Sequence, residues 1–404
     1  MMEQHQAEGG CDYVVVKQNS VTAHWEGSLA SPSIAVKPDN PEILIASNDM
    51  CEDSKTEVHR SEDGGLSWTQ ITTVDNQYWS NLFFHKGALY LLGTTKEYGD
   101  VVIRQSYDLG STWTDPASSQ TGKITSGERW HCAPTPVVEF EGRLWRCFEE
   151  FPEDGAWGIS FNVGVWSAPV DSNLLDKASW TVSAPHLSFP LSTRVALKGL
   201  GWLEGNMVVD HNCTPNRLVA ILRVHDFRDG LGAIVDVESK DKVDYRRVIK
   251  FPGGTKKFVI RYDERTKSYV ALSNVLVTGQ KLVLALSLWK ASKTQGMRRR
   301  NAVALISSKD LEHWTVNKVL LYTDKKYIGF QYADFVISGE DLLAVFRSAI
   351  ESEGRPPPHA MAANHMTFHR IKGFRQMLQS TVPFGTRILS SKHLKGATDG
   401  PAAP

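Results

Sequence analysis

Apolar residues come in short runs along this chain. "EILIASND" (42–49), "NLFFHKGALYLLGTT" (81–95), "VVIRQS" (101–106), "TPVVEFEGRLWRCFEE" (135–150), "RLVAILRVH" (217–225), "KKFVIRYD" (256–263), "AVALISS" (302–308), "LLAVFRSA" (342–349) and "HMTFHRI" (365–371) are continuous or alternating. Gly, Asp, Asn and Pro bound them, as expected of strands closed by tight turns. Several neighbours read as hairpins, among them "FFHKGALYLLG" and "FVIRYDERTKSYVALS". No segment sustains a helical period; "SNLLDKASW" is one turn at most. The pattern predicts an all-β chain.

The turns carry a second pattern. "SEDGGLSW" places Ser61, Asp63, Gly65 and Trp68 at the spacing of Ser106, Asp108, Gly110 and Trp113 in "SYDLGSTW". "SKDLEHW" repeats it with Ser308, Asp310 and Trp314, one residue shorter and without Gly. Asp and Ser side chains close turns by accepting backbone N–H groups, and Gly supplies a left-handed backbone position. Each Trp then covers the corner, its indole N–H reaching a carbonyl. These are fold elements, and their repetition is informative. Asp63 and Asp108 stand 45 residues apart, the length of one four-stranded propeller blade. A multi-domain sandwich would not explain the same corner at that spacing. The expectation is a single β-propeller of about six four-stranded blades over residues 19–384. Residues 1–18 then form a flexible tail and 385–404 a disordered one.

Composition narrows the partners. The 404 residues hold 45 Lys+Arg against 45 Asp+Glu, so neither nucleic acid nor an anionic membrane is the expected partner. Five scattered cysteines with no C-x-x-C read as neither a disulfide framework nor a metal site. No cofactor motif is present, and a small-molecule substrate is the expected partner. The start, "MMEQHQAEGGCDYVVV", lacks a basic and an apolar leader region. A cytoplasmic location follows, or a secreted one if the N-terminus is incomplete. Nothing in the chain fixes an oligomeric state.

Polar residues inside apolar strands are the candidates for chemistry. "GERWHCAP" offers Trp130 and His131, "GWLEGNMVV" Glu204, "FPGGTKKFVIRYD" Lys257 and Arg261, and "MRRRNAVAL" Arg300 and Asn301. "GFQYADF" offers Gln331 and Tyr332, and "PPPHAMAANHMTFH" His359. His131, Glu204, Arg300 and His359 are the types that move protons or hold charge. Trp130, Lys257, Arg261, Asn301, Gln331 and Tyr332 would bind substrate. Arg347 is expected to pair with Asp334 between strands.

The three corner motifs resemble the Asp-box (BNR) repeats of the sialidase superfamily. "SPSIAV", "HCAPTPVVEFEGRLWR", "GWLEGNMVV", "FPGGTKKFVIRYD", "GFQYADF" and "NHMTFHRIKGFR" extend the resemblance to a sialidase-like branch over about residues 31–375. The resemblance implies the propeller and, by default, exo-glycoside hydrolysis. Two departures stand against it. Sialidases grip the substrate carboxylate with arginines, the first in a Phe-Arg-Ile-Pro-like segment, where this chain has "SPSIAV". The related branch reads Ser-His-Asp where this chain has Ser47-Asn48-Asp49, and carries a His-rich run where Met361 and Ala362 stand. Asn, Met and Ala cannot replace imidazole in proton transfer.

Two functions are therefore expected. The first is a non-hydrolytic biosynthetic enzyme, similar to fungal hetero-Diels–Alderases of tropolone-sesquiterpenoid metabolism, working by apposition in an aromatic cavity. The second is an exo-glycosidase or lyase on a terminal sugar, with His131 or Glu204 as proton donor and Arg261 and Arg300 holding an acidic group. The stretch 275–296 reads as an extra hairpin or loop, or as translated intron.

Overall fold

In the computed structural model, residues 13–19, 27–50, 53–197, 201–225, 230–278, 280–283, 299–352 and 354–388 are described. They build six antiparallel sheets around one axis. Blade 1 is Leu29–Lys37, Asn40–Met50, Lys55–Ser61 and Thr69–Asp75. Blade 2 is Tyr78–His85, Ala88–Thr94 and Val101–Ser106. Blade 3 centres on Arg143–Glu150 and Asn162–Pro169, with short strands such as Trp130–His131 and Val138–Phe140 inside them. Blade 4 is Gly201–Asp210, Arg217–His225, Leu231–Ser239 and Lys242–Lys250; blade 5 is Val259–Asp263, Ser268–Ser273, Ala302–Ser308 and Trp314–Tyr322. Blade 6 is Gly329–Ser338, Asp341–Ala349 and His365–Ile371, completed by Tyr13–Gln18.

That last strand revises the expected N-terminal tail. Tyr13–Gln18 opens with four apolar residues, and it fills the open edge of the sixth sheet, joining the two ends of the ring. Residues 1–12 and 389–404 lie outside the described residues. Residues 382–388, partly assigned to a tail, pack on blade 5: Val382 N–H donates to Val316 O at 2.7 Å and Gly385 N–H to Leu282 O at 2.6 Å. Leu276–Thr278 and Lys281–Val283 do form an extra hairpin, with Val277 and Leu282 buried; residues 284–298 are not described.

The first strand of each blade lines the axis, and these strands are bonded to one another around the ring. Asp334 accepts from Ser33 Oγ at 2.9 Å and Ile34 N–H at 3.0 Å, and Ser33 Oγ accepts Leu82 N–H at 3.0 Å. Cys132 Sγ donates to Trp79 O at 3.3 Å, and Thr135 Oγ1 to Gly205 O at 2.8 Å. Asn206 Nδ2 donates to Phe258 O at 3.1 Å, and Lys257 Nζ to Ala333 O at 2.6 Å. Every seam between blades thus carries a polar tie, while apolar clusters fill the spaces behind.

The corner motifs follow the third strands of blades 1, 2 and 5. Asp63 accepts Ser67 N–H at 2.9 Å and Ser67 Oγ at 2.6 Å, and Trp68 Nε1 donates to Gly65 O at 3.2 Å. Asp108 and Trp113 repeat this with Thr112 and Gly110. Gly65 has φ +95°, and a Cβ there would sit 2.3 Å from the Phe368 ring. In the third motif Leu311 takes the left-handed position, at φ 65°. Asp63→Ala is expected to lower stability by roughly 1–2 kcal/mol through lost turn hydrogen bonds. Urea unfolding checks this, and turnover per folded molecule is expected to stay unchanged.

Candidate active site

Four of the inner strands share a kink. Pairing with the second strand skips between Ala30 and Ser33, Tyr78 and Asn81, Leu203 and Asn206, and Gln331 and Asp334. In each gap one residue takes a left-handed backbone: Ser31 (φ 42°), Trp79 (φ 50°), Glu204 (φ 58°) and Tyr332 (φ 56°). Such a bulge re-aims a side chain and costs roughly 1–3 kcal/mol per non-glycine residue. Here it gathers residues from different blades at one end of the axis. The ends of the second strands supply the rest: Asp49, Glu149, Arg223, His225 and Arg347.

At the centre, Tyr332 Oη donates to Glu204 Oε1 at 2.7 Å, and Arg223 Nη1 donates to Glu204 Oε2 at 2.7 Å. Glu204 and Arg223 are buried. Burial works against the Glu204 carboxylate, but the Arg223 guanidinium and then His131 outweigh it and hold its pKa below the usual range. Burial raises the Tyr332 phenol, and the Glu204 charge adds to this. The pair is therefore a carboxylate facing a neutral phenol, the arrangement in which the phenol can lose its proton to the carboxylate as it attacks.

His131 stands beside this pair. Its Nδ1 meets Glu149 Oε2 at 2.8 Å, and Glu149 Oε1 accepts Gly205 N–H at 3.0 Å, next to Glu204. The carboxylate fixes the imidazole and leaves Nε2 to meet a ligand. Trp79 and Phe161 flank the ring at 4.5 and 4.7 Å, and Tyr98 stacks on Phe151 at 4.4 Å. The wall around the polar centre is aromatic. Across from it, Arg347 lies 4.2 Å over the Tyr332 ring, and Gln331 Oε1 accepts from Arg300 Nε and Arg347 Nη2, each at 3.2 Å.

Asp49 is also buried at this end. Burial pushes its pKa up to about 8, against hydrogen bonds from Thr56, Trp79 N–H and Ser31. Thr56 Oγ1 reaches one oxygen and Trp79 N–H the other, both at 2.8 Å. Asp49 thereby holds the Trp79 bulge in place. Asn48, in place of the histidine of the resembling branch, points elsewhere: it donates to Glu57 at 3.1 Å and meets His59 at 2.9 Å inside blade 1.

The structure brings His131, Glu204, Arg300, Gln331 and Tyr332 to the axial end. Lys257 lies on the axial ring, where burial lowers its pKa to about 8. The others lie apart. Trp130 is core: its side chain alternates away from His131 to pack on Trp166, and its Nε1 donates to Glu128 at 2.7 Å. Arg261 is bonded to Phe335 O and lines a cavity of about 370 Å³ with Val138, Val208, Ile260 and Val336, residues further along the inner strands. Asn301 closes blade 5 on Thr323 O at 2.9 Å. His359 Nδ1 accepts Ala362 N–H at 3.1 Å in a turn before the last strand. Arg347 does not pair with Asp334, which the axial ring already engages.

Arg223 and Glu149 escape sequence reasoning because each stands at the end of an apolar strand, and Trp79 and Tyr98 because each stands in a polar, turn-like stretch. Among the described residues, no group of three or more His, Cys, Asp or Glu could hold a metal ion.

Buried histidines make the fold acid-sensitive. Burial lowers His59, His225 and His365 to about 4 and His369 to about 3. Below pH 6.5 the unfolded chain takes up protons that the folded one refuses, so stability is complete above that pH and falls on acidification. Each histidine contributes up to about 1.4 kcal/mol per pH unit over its window. Asp49 has the opposite sign between pH 4 and 8 and offsets about one of them. Below pH 4 the corner carboxylates, Asp310 held at about 2, lose their contribution as they protonate. The thermal midpoint is expected to fall steeply from pH 6.5 to 4.5; a flat profile contradicts this.

No family model matches the chain, and no curated protein matches it. Solved structures do. The Hadza microbial sialidase superposes with TM-score 0.57 at 12% identity, over 89% of this chain and 68% of that one. The α-L-arabinofuranosidase Arb93A from Fusarium graminearum, bound to an iminosugar inhibitor, gives 0.52 at 11% over 90% and 98%. Trypanosoma rangeli sialidase with the inhibitor DANA gives 0.54 at 11% over 93% and 60%. At these identities the likeness is one of fold: the chain is a six-bladed β-propeller of the kind these proteins share.

Proposed function

We propose that the axial cluster is the active centre of an exo-acting glycoside hydrolase that removes a terminal sugar. The observation that carries this is the Tyr332–Glu204–Arg223 cluster, with its 2.7 Å contacts. Glycosidases commonly use two carboxyl groups, and sialidases use a Tyr nucleophile instead. Tyr332 Oη attacks the anomeric carbon and passes its proton to Glu204. The leaving oxygen takes a proton from His131 Nε2, which Glu149 orients. Water then attacks the glycosyl–tyrosine bond, giving its proton to His131 while Glu204 returns one to Tyr332. Arg347 lies over the Tyr332 ring and Arg300 is bonded to the neighbouring Gln331, and the two suit an acidic sugar. The solved neighbours that are sialidases and arabinofuranosidases support the class of reaction.

The test is a panel of aryl glycosides that includes furanosides and acidic sugars. Release of the phenol from one or more of them is expected, and no release from any overturns the proposal. A second reading has one observation in its favour, the aromatic wall of Trp79, Tyr98, Phe151 and Phe161. It is non-hydrolytic joining of apolar partners, an intermolecular hetero-Diels–Alder cyclisation included, with Tyr332 or His131 donating a hydrogen bond to the reacting oxygen. A glycoside panel without turnover, with apolar quinone-type partners joined faster than in buffer, would favour it.

A further inference from the structure

We infer that Thr135 and Arg146 are positioning residues of the axial site: they hold the Gly205 peptide, and through it the left-handed Glu204, so that the Glu204 carboxylate stays against the Tyr332 phenol. The inference rests on the proposed Tyr332–Glu204 chemistry for its effect on turnover, and on the contacts alone for the clamp. The Glu204 bulge, at φ 58°, falls where pairing within blade 4 skips from Leu203 to Asn206. A left-handed glutamate costs free energy and persists only where its surroundings hold it. Its own blade leaves Glu204 and Gly205 out of the ladder, and the holding groups come from blade 3.

Both ends of Gly205 are held from there. Its N–H donates to Glu149 Oε1 at 3.0 Å, and its C=O accepts Thr135 Oγ1 at 2.8 Å. The Cys147 thiol closes the remaining space: a Cβ on Gly205 would sit 2.4 Å from Cys147 Sγ. Thr135, Arg146 and Glu149 are buried, so a bond lost among them is not replaced by bulk water.

Arg146 gives the Thr135 bond its direction. The first strand of blade 3 is broken: Trp130–His131 and Val138–Phe140 pair with Arg143–Glu150, while residues 132–137, which include Pro134 and Pro136, pair with no strand. Arg146 stands across this gap, and its guanidinium donates to Ala133 O and to Thr135 Oγ1. A hydroxyl that accepts from a guanidinium must send its own single proton elsewhere, and here it goes to Gly205 O. The charged donor also polarises the hydroxyl and strengthens that second bond. Packing alone does not call for a buried guanidinium bonded to neutral oxygens, with its Nε left without a hydrogen-bond partner.

The experiment places difluorotyrosine, whose phenol ionises near neutral pH, at position 332 of the full chain and follows its ionisation by fluorine NMR. The charged or titratable groups facing this phenol are Glu204, Arg223, Arg347 and Tyr98. Of these only Glu204 sits on the clamped bulge; its charge raises the phenol and the two arginines lower it. Thr135→Val keeps the shape without the hydroxyl and is expected to lower the ionisation midpoint by about one pH unit. Thr135→Ser keeps the hydroxyl and is expected to match wild type. A residue with only a structural role would change the thermal midpoint and leave this titration in place. If Thr135→Val does not fold, Thr135→Ala is read in the same way. On a glycoside that the panel identifies, Thr135→Val should lower kcat about tenfold or more, with KM within about twofold. An unchanged titration in Thr135→Val, or an equal shift in Thr135→Ser, overturns the inference. If the titration shifts as expected but wild type hydrolyses no glycoside, the clamp stands and the hydrolytic reading falls.

Discussion

Arg223→Met is expected to destabilise the protein by about 3–5 kcal/mol. The substitution keeps the volume but leaves Glu204 buried and charged without its cation. It also removes the donor that ties blade 4 to blade 5 through Thr255 O at 2.6 Å. A single buried carboxylate cannot recover its hydration, so it must take up a proton or open the site. Arg223→Met combined with Glu204→Leu should therefore be more stable than Arg223→Met alone, although it lacks one more polar contact. Urea unfolding of both variants decides. A loss below about 1 kcal/mol for the single variant would mean that water reaches Glu204 in the folded protein.

Tyr332→Phe is expected to abolish most turnover, by roughly 10²–10⁴-fold or more, while costing about 1 kcal/mol in stability. The ring stays packed beneath Arg347, and Glu204 keeps Arg223. Glu204→Gln should lower turnover by roughly 10²–10⁴-fold, because an amide cannot take the phenol's proton. Under the non-hydrolytic reading, by contrast, Glu204→Gln leaves Tyr332 free to donate its hydrogen bond and is expected to retain activity. The pair of variants, measured on the same substrate, separates the two chemistries.

Much of the fold is legible in the chain because its signals are local. Asp63, Asp108 and Asp310 close turns with residues no more than four positions away, so the spacing of Ser, Asp and Trp shows them directly. The role of Tyr13–Gln18 is not local: its partners are His365–Ile371, at the far end of the chain. The site is legible in half. Glu204 and Tyr332 stand out as polar residues in apolar strands, but they are 128 positions apart, and nothing in either segment names the other. Arg223 and Glu149 look like strand ends.

A usable signal was present in the bulges. Ser31-Pro32-Ser33, Trp79-Ser80-Asn81, Glu204-Gly205-Asn206 and Tyr332-Ala333-Asp334 share one order. A kinked residue is followed by a compact one and then by a polar one, which ties a seam in three of the four: Ser33, Asn206 and Asp334. Read as a repeat, it marks the axial residue of blades 1, 2, 4 and 6. Trp130 falls in the expected site because its neighbour His131 faces the axis, and adjacent strand residues face opposite ways; Arg261 follows Lys257 by four positions and lies further along the inner strand, bonded to Phe335 O. Ser31 occupies the axial bulge of blade 1, and Arg347 reaches over Tyr332 from the second strand of blade 6.

The most direct test is to trap the covalent intermediate. The protein is incubated with fluorinated glycosyl fluorides of the sugar that the aryl-glycoside panel identifies, digested, and examined by mass spectrometry. Fluorine beside the anomeric centre slows breakdown of the intermediate more than the fluoride leaving group slows its formation. The predicted result is one sugar bonded to Tyr332, absent from Tyr332→Phe. A sugar bonded to Glu204 or Glu149 instead, or turnover with no adduct on any residue, would contradict the account.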